Sequence, residues 1–95
     1  MDIIEKEFIG KAIIKGGIHL YKSMDALDVI KRCRQFNRNI LGIDSFIVTS
    51  NITQPVLEHS IDFSTKGIVG GSWLEAEEFV KTRENSGFLF EIVYE

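Results

Sequence analysis

The fold is decided by the stretch NRNILGIDSF, Asn37 to Phe46. Its first half, Asn39–Ile43, is a short apolar run that is typical of a strand. Phe46 to Thr49 is a second β-prone run, which either continues the strand past a bend at Asp44 or forms a separate strand. The carboxylate of Asp44 is open to four interpretations: a catalytic group, a metal ligand, part of a binding surface, or a strand end facing water.

Two helices are predicted on either side of this region. The first covers about 24–37, with Ser23 as its N-cap, because apolar residues recur there at helical spacing. The second covers about 73–83, where Ser72 and Glu75 have the spacing of a capping box. Residues 3–15 carry apolar residues at helical spacing, and Gly16-Gly17 would end such a helix. Gly10 lies within the segment, so it is compatible with either a helix or a strand.

The remaining pattern predicts strands. Residues 56–63 have the alternation of a half-buried strand, whose inward face would be formed by Leu57, His59, Ile61 and Phe63. Residues 88–94 form a last strand with apolar groups on both faces. Asn51 to Pro55 is predicted to be a turn. We therefore expect an α+β fold: a small, mostly antiparallel sheet with two or three helices packed on one side, and residues 1–95 as a single domain.

The charge is unevenly distributed along the 95 residues, whose net charge is −3. Residues 1–38 hold eight basic and five acidic side chains, a net charge of +3, whereas residues 39–95 hold three basic and nine acidic ones, a net charge of −6. An acidic surface attracts cationic partners and repels nucleic acid. With one cysteine, no secretory leader and no membrane span, the chain is predicted to be cytoplasmic, with no membrane partner.

Catalytic and metal-binding patterns are weak. His19 and His59 lack a cysteine or carboxylate at zinc-ligand spacing, and adjacent strand residues such as His59 and Ser60 point to opposite faces, which argues against a triad. Cys33 lies on an apolar helix stripe, and GIVGGS before the second helix lacks the lysine of a phosphate-binding loop. We expect no enzymatic activity, no metal and no cofactor.

Acidic side chains are the more informative feature. The basic residues of the first helix have no interleaved aromatic side chains, so a nucleic-acid interface is not expected. The carboxylates need only be exposed to form a binding surface, and they are Asp44, Glu58, Asp62, Glu75, Glu77 and Glu78.

SMDALDVIKRCRQFNRNILGID resembles the core of small bacterial immunity proteins. The resemblance is to the immunity protein of the colicin that cuts tRNA anticodons and to a related α+β family of polymorphic-toxin systems. It continues through HSIDFS, EEFVKTRENSG and FLFEIVYE, over roughly residues 18–95. Related sequences often have Gly-Gly-Asp where this chain has Gly42-Ile43-Asp44.

The resemblance implies a non-catalytic inhibitor that binds a cognate toxin domain, a basic nuclease, and occludes its active site. The implied partner-binding residues are Asp44, Glu58, Asp62, Glu75 and Glu78, with Trp73 as an anchor. Two alternatives stay open at this point. One is a small regulatory module that binds a peptide, for instance by adding a strand at residues 46–49, and the other is a small enzyme. The oligomeric state is not predicted.

Overall fold

The computed structural model describes residues 2–63 and 72–95, which form three α-helices and six strands. In chain order the elements are α1 (Ile3–Phe8), β1 (Ile13–Lys15), β2 (Ile18–Leu20), α2 (Ser23–Gln35), β3 (Ile40–Val48), β4 (Thr53–Pro55), β5 (Ile61–Asp62), α3 (Ser72–Lys81) and β6 (Leu89–Tyr94). A 3₁₀ turn, Leu57–His59, lies between β4 and β5. The predicted α+β class is confirmed, and all strand pairs are antiparallel.

The strand β3 is the centre of the main sheet and runs without interruption through Asp44. It pairs with β6 along one edge and with β4 and β5 in succession along the other. The β3–β6 register shifts between Ile40 and Gly42, as at a β-bulge. The quoted stretch therefore forms one strand, and Asp44 lies within it rather than at its end.

The segment that was ambiguous in sequence contains both a helix and a strand. Helix α1 begins after Asp2, whose carboxylate accepts the Glu5 N–H at 2.9 Å. The chain then forms the β1–β2 hairpin, with φ of 55° at Gly16 and 81° at Gly17. Glycine reaches these positive φ values without a steric cost, so the Gly-Gly pair makes a two-residue hairpin turn instead of ending a long helix.

Helix α2 begins one residue earlier than its sequence predicts. Lys22, not Ser23, is the N-cap residue, and no side chain caps it. Tyr21 lies just before Lys22 in an isolated antiparallel bridge, because its backbone N–H and C=O both bond to Phe90 at 2.8 Å, so the helix can begin only after this residue. At the other end Asn37 has a φ of 56°, and Arg38 N–H donates to the Cys33 carbonyl at 2.8 Å, which is a Schellman ending.

The predicted strand over residues 56–63 is wrong for most of its length. Val56 N–H donates to the Ser45 carbonyl, and His59 N–H donates back to the Val56 carbonyl, so the chain turns after β4. Within this segment only Ile61 and Asp62 form a strand, β5, which pairs with β3. Leu57, predicted to face inward, is 82% exposed. The alternating pattern arises from a 3₁₀ turn followed by a very short strand.

The helices pack on one face of the sheet. The inward positions of β3 and β6, including Ile43, Phe90 and Ile92, join one buried cluster with α2 residues such as Val29 and Ile30. Helix α3 adds Ala76, Phe79 and Val80 to the same core, as its sequence predicts. None of the helices in the described part of the chain is long and apolar enough to cross a bilayer.

Candidate functional site: an acidic band

The outer face of the sheet carries a pair of opposed carboxyl groups. Asp44 on β3 lies directly opposite Glu91 on β6, and the residues flanking the pair in the register are Ile43 with Ile92 and Ser45 with Phe90. Those flanking residues are buried, whereas Asp44 and Glu91 are half-buried. Because side chains alternate across a strand, the two carboxyl groups share the face away from the helices.

This pair is electrostatically unfavourable when both groups are ionised. Burial raises the pKa of Glu91, and the charge of Asp44 and a hydrogen bond with it raise it further. Among the residues that the structure describes, no lysine or arginine forms an ion pair with either group. A cation supplied by a partner would relieve this repulsion.

Asp62 lies beside the pair because β5 approaches β3 closely at Gly42. Gly42 is opposite Asp62, and a Cβ atom built on Gly42 would stand 2.8 Å from the Ile61 carbonyl oxygen. Glycine is required for this spacing, since real Cβ atoms do not approach backbone oxygen so closely. Asp44, Asp62, Gly42 and Ile61 thus line one shallow depression of about 340 Å³.

A second depression adjoins the first on the side of helix α3. We call it the α3–β5 groove; its volume is about 440 Å³, and its lining includes Ile61, Leu74, Glu75, Glu78, Phe79 and Thr82. Ile61 lines both depressions, so the two are neighbours across β5. We name the carboxylates of this surface the acidic band: Asp44, Asp62, Glu75, Glu78 and Glu91.

Two predicted binding residues lie outside both depressions. Glu58 is exposed on the 3₁₀ turn before β5. Trp73 is half-buried against the core, and its indole N–H donates to the Arg38 carbonyl at 2.8 Å. This bond uses the only polar group of the Trp73 side chain inside the protein, so its contacts here are those of a structural residue.

A separate polar cluster, formed by Asp2, Arg38 and Tyr94, links residues near the two ends of the chain. Burial opposes ionisation of Asp2, but hydrogen bonds from the Glu5 N–H and the Tyr94 hydroxyl, with the charge of Arg38, lower its pKa overall. The Tyr94 hydroxyl lies 3.0 Å from Asp2 Oδ1, and burial and this bond raise the pKa of Tyr94. These bonds are made within the protein, which favours a role in stability.

Cys33 and His59, two further candidate reactive side chains, are buried or engaged in contacts within the protein. Cys33 is fully buried, and burial raises the pKa of its thiol to about 12, which disfavours a reactive thiolate. His59 accepts the Arg83 Nε–H at 3.1 Å and packs on the Phe88 ring. Within residues 2–63 and 72–95, no three His, Cys, Asp or Glu side chains are grouped as metal ligands are.

Sequence reasoning did not single out Glu91 or Leu74. Glu91 is a polar residue among apolar ones in the last strand, but only the β3–β6 register places it against Asp44. Leu74 is 65% exposed although it stands beside the apolar stripe of its helix. The suggested addition of a peptide strand at residues 46–49 is restricted by the structure. One edge of this segment is already occupied, because β4 pairs with Phe46 to Val48.

Comparison with known proteins adds no relative to these observations. No protein-family model matches the chain, and no curated protein matches it.

Proposed function

We propose that this chain is an immunity-type inhibitor, which binds a basic toxin domain in the cytoplasm through the acidic band and blocks its active site. The observation that carries the proposal is the opposed Asp44–Glu91 pair on the sheet face away from the helices, where the described residues supply no cation to it. Binding and occlusion suffice for this function, so the chain itself performs no chemistry.

The physical basis is charge complementarity. A nuclease that binds phosphates presents lysine and arginine side chains in its cleft, and the carboxylates of an inhibitor can pair with the same side chains. Such complementarity accelerates association, while a few well-packed contacts supply most of the affinity. The band repels nucleic acid for the same reason, which favours a protein partner.

The sequence resemblance supports the same proposal from a different direction. The letters closest to those of immunity proteins, ILGID, form the first part of β3. In that strand Gly42 allows the close approach of β5, and Asp44 belongs to the acidic band. The resemblance thus falls on the residues that build the proposed surface.

A calorimetric titration tests the proposal. The titrant is the C-terminal domain of the protein encoded immediately upstream of this chain's gene, and the variants are Asp44→Lys and Asp28→Lys. Asp28 is exposed on α2, outside the acidic band, so Asp28→Lys makes the same change of charge elsewhere. We expect Asp44→Lys to weaken binding by about tenfold or more, because placing like charges together in an interface costs several kcal/mol.

Two results would contradict the proposal. The first is that the wild-type chain does not bind the domain at low salt. The second is that Asp44→Lys and Asp28→Lys bind as tightly as the wild type while remaining folded, which would move the interface away from the acidic band. Suppression of the domain's toxicity by co-expression is the functional counterpart of the titration.

A further inference from the structure

The α3–β5 groove combines an apolar floor with an acidic rim. Leu74 is 65% exposed, and it lines the groove together with half-buried Ile61 and buried Phe79. A single exposed leucine is ordinary on a protein surface, but here it continues an apolar surface shared by α3 and β5. The floor can therefore accept an apolar side chain.

The rim of the groove is negatively charged along one face of the helix. Leu74 and Glu78 are four residues apart and lie along the same side of α3, with Glu75 adjacent to them. Thr82 follows just beyond the helix, and its N–H still donates to the Glu78 carbonyl at 3.0 Å. Glu75 and Glu78 are both exposed. A side chain that contacts Leu74 is thus brought within reach of two carboxylates.

Arg83 is the cation among the described residues that line the groove, and it is engaged within the protein. Arg83 donates from Nε to His59 at 3.1 Å and from Nη1 to the Phe79 carbonyl at 3.1 Å and to Thr82 Oγ1 at 2.9 Å. Its guanidinium also lies 3.8 Å from the centroid of the Phe79 ring. These contacts fix Arg83 as a wall of the groove, and it forms no ion pair with Glu78 among the described residues.

We infer that the α3–β5 groove anchors a protein segment in which an apolar side chain is flanked by lysine or arginine. The apolar side chain packs on Leu74 and Ile61, and the flanking cations pair with Glu75 and Glu78. The inference deepens the proposed function and rests on it for the identity of the partner, a basic toxin domain. The two parts of the surface would then contribute differently to binding: the groove supplies an apolar anchor, whereas the Asp44–Glu91 pair supplies charge alone.

The test uses two synthetic peptides, so that it does not depend on the toxin domain. Capped Arg-Leu-Arg-Leu-Arg and Arg-Ser-Arg-Ser-Arg have the same charge and length and differ only in the apolar side chains. Each is titrated into the full chain with ¹³C-labelled methyl groups of isoleucine and leucine. We expect the leucine peptide to bind at least fivefold more tightly and to shift the Leu74 and Ile61 methyl signals most.

Variants then locate the preference. Leu74→Ala should remove the difference between the two peptides, whereas Leu57→Ala should preserve it. Leu57 is the matched control, because it is 82% exposed and lies on the 3₁₀ turn, outside the residues that line the groove. Glu78→Gln should weaken both peptides about equally, since it removes a charge and no apolar surface.

The inference is overturned if the two peptides bind equally, or if the Leu74 and Ile61 signals do not respond to the leucine peptide. It is also overturned if Leu57→Ala abolishes the preference and Leu74→Ala does not. Failure of the proposed function looks different: the peptides show the leucine preference at the groove, but the upstream-encoded domain does not bind the chain.

Discussion

Replacement of Gly42 by alanine is the substitution that tests the geometry of the candidate site most sharply. The new Cβ atom would lie 2.8 Å from the Ile61 carbonyl oxygen and 3.6 Å from the Asp62 Cα. The first contact is with backbone, which cannot rotate away as the end of a side chain can. Strand β5 must therefore move away from β3 and carry Asp62 with it.

The expected magnitude follows from two opposing contributions. Overpacking of this kind costs about 1–3 kcal/mol. Alanine also restricts the unfolded chain, which returns about 0.4–1 kcal/mol. The net expectation for Gly42→Ala is a loss of about 1–2 kcal/mol in the free energy of unfolding, or roughly 4–16 °C in Tm for a chain of this length.

Gly10→Ala is the matched control. A Cβ atom on Gly10 would meet no heavy atom within 4 Å, and Gly10 is not among the glycines with positive φ. The Gly10→Ala substitution should leave the free energy of unfolding unchanged or raise it by up to about 1 kcal/mol. Urea denaturation of both variants and the wild type gives the free energies, and backbone NMR shifts of Ile61 and Asp62 report the movement of β5. The reasoning is refuted if Gly42→Ala is as stable as Gly10→Ala and leaves those shifts unchanged.

Two further predictions concern the Asp44–Glu91 pair and the buried Ser45. Glu91→Gln should stabilise the protein by about 0.2–1 kcal/mol at pH 7, because like charges opposite each other across two strands are destabilising, and partial exposure keeps the effect small. The raised pKa of Glu91 means that the folded state keeps this proton to a higher pH than the unfolded state, so stability falls as pH rises from about 4.3 through the folded pKa. The gain should therefore vanish near pH 3.5 in denaturation experiments, and an equal gain at both pH values would contradict the repulsion by Asp44. Ser45→Ala should raise stability by about 1 kcal/mol, because the Ser45 hydroxyl is buried without a hydrogen-bond partner among the described residues; a variant less stable than the wild type in thermal unfolding would show that this hydroxyl is satisfied.

Elements with local signals were predictable from the sequence. Helices α2 and α3 have apolar stripes of helical period, and the structure places both within a residue or two of the predicted bounds. The run from Ile40 to Val48 was recognised as β-structure, although its continuity through Asp44 was not decided. The α+β class follows from these elements, because each has one apolar face that must be buried.

Features that depend on distant pairing were not predictable. The alternation over 56–63 predicted a strand, but the Val56 N–H bonds to the Ser45 carbonyl and the His59 N–H bonds back to the Val56 carbonyl, which makes a turn. His59 is also held by contacts with Arg83 and Phe88, which are distant in sequence. The Gly16-Gly17 pair was interpreted as the end of a helix, although two glycines between apolar runs also fit a hairpin.

The composition of the acidic band was also only partly predictable from the sequence. Asp44, Asp62, Glu75 and Glu78 were predicted as binding residues from charge alone, and the structure places them along two adjoining depressions. The sequence did not separate them from Glu58, which lies outside both. Glu91 is added only by the register of β3 with β6, which involves residues nearly fifty positions apart.

The most direct test of the central claim is the association rate of the chain with the upstream-encoded domain, measured by stopped flow at about 50 and 200 mM salt. If the acidic band guides a basic partner, the rate constant should fall by about tenfold or more over this range, because salt screens charges separated by more than about 10 Å. Asp44→Lys should lower the rate at low salt and flatten its salt dependence. A rate that is the same at both salt concentrations, or the absence of binding at 50 mM, would contradict the account.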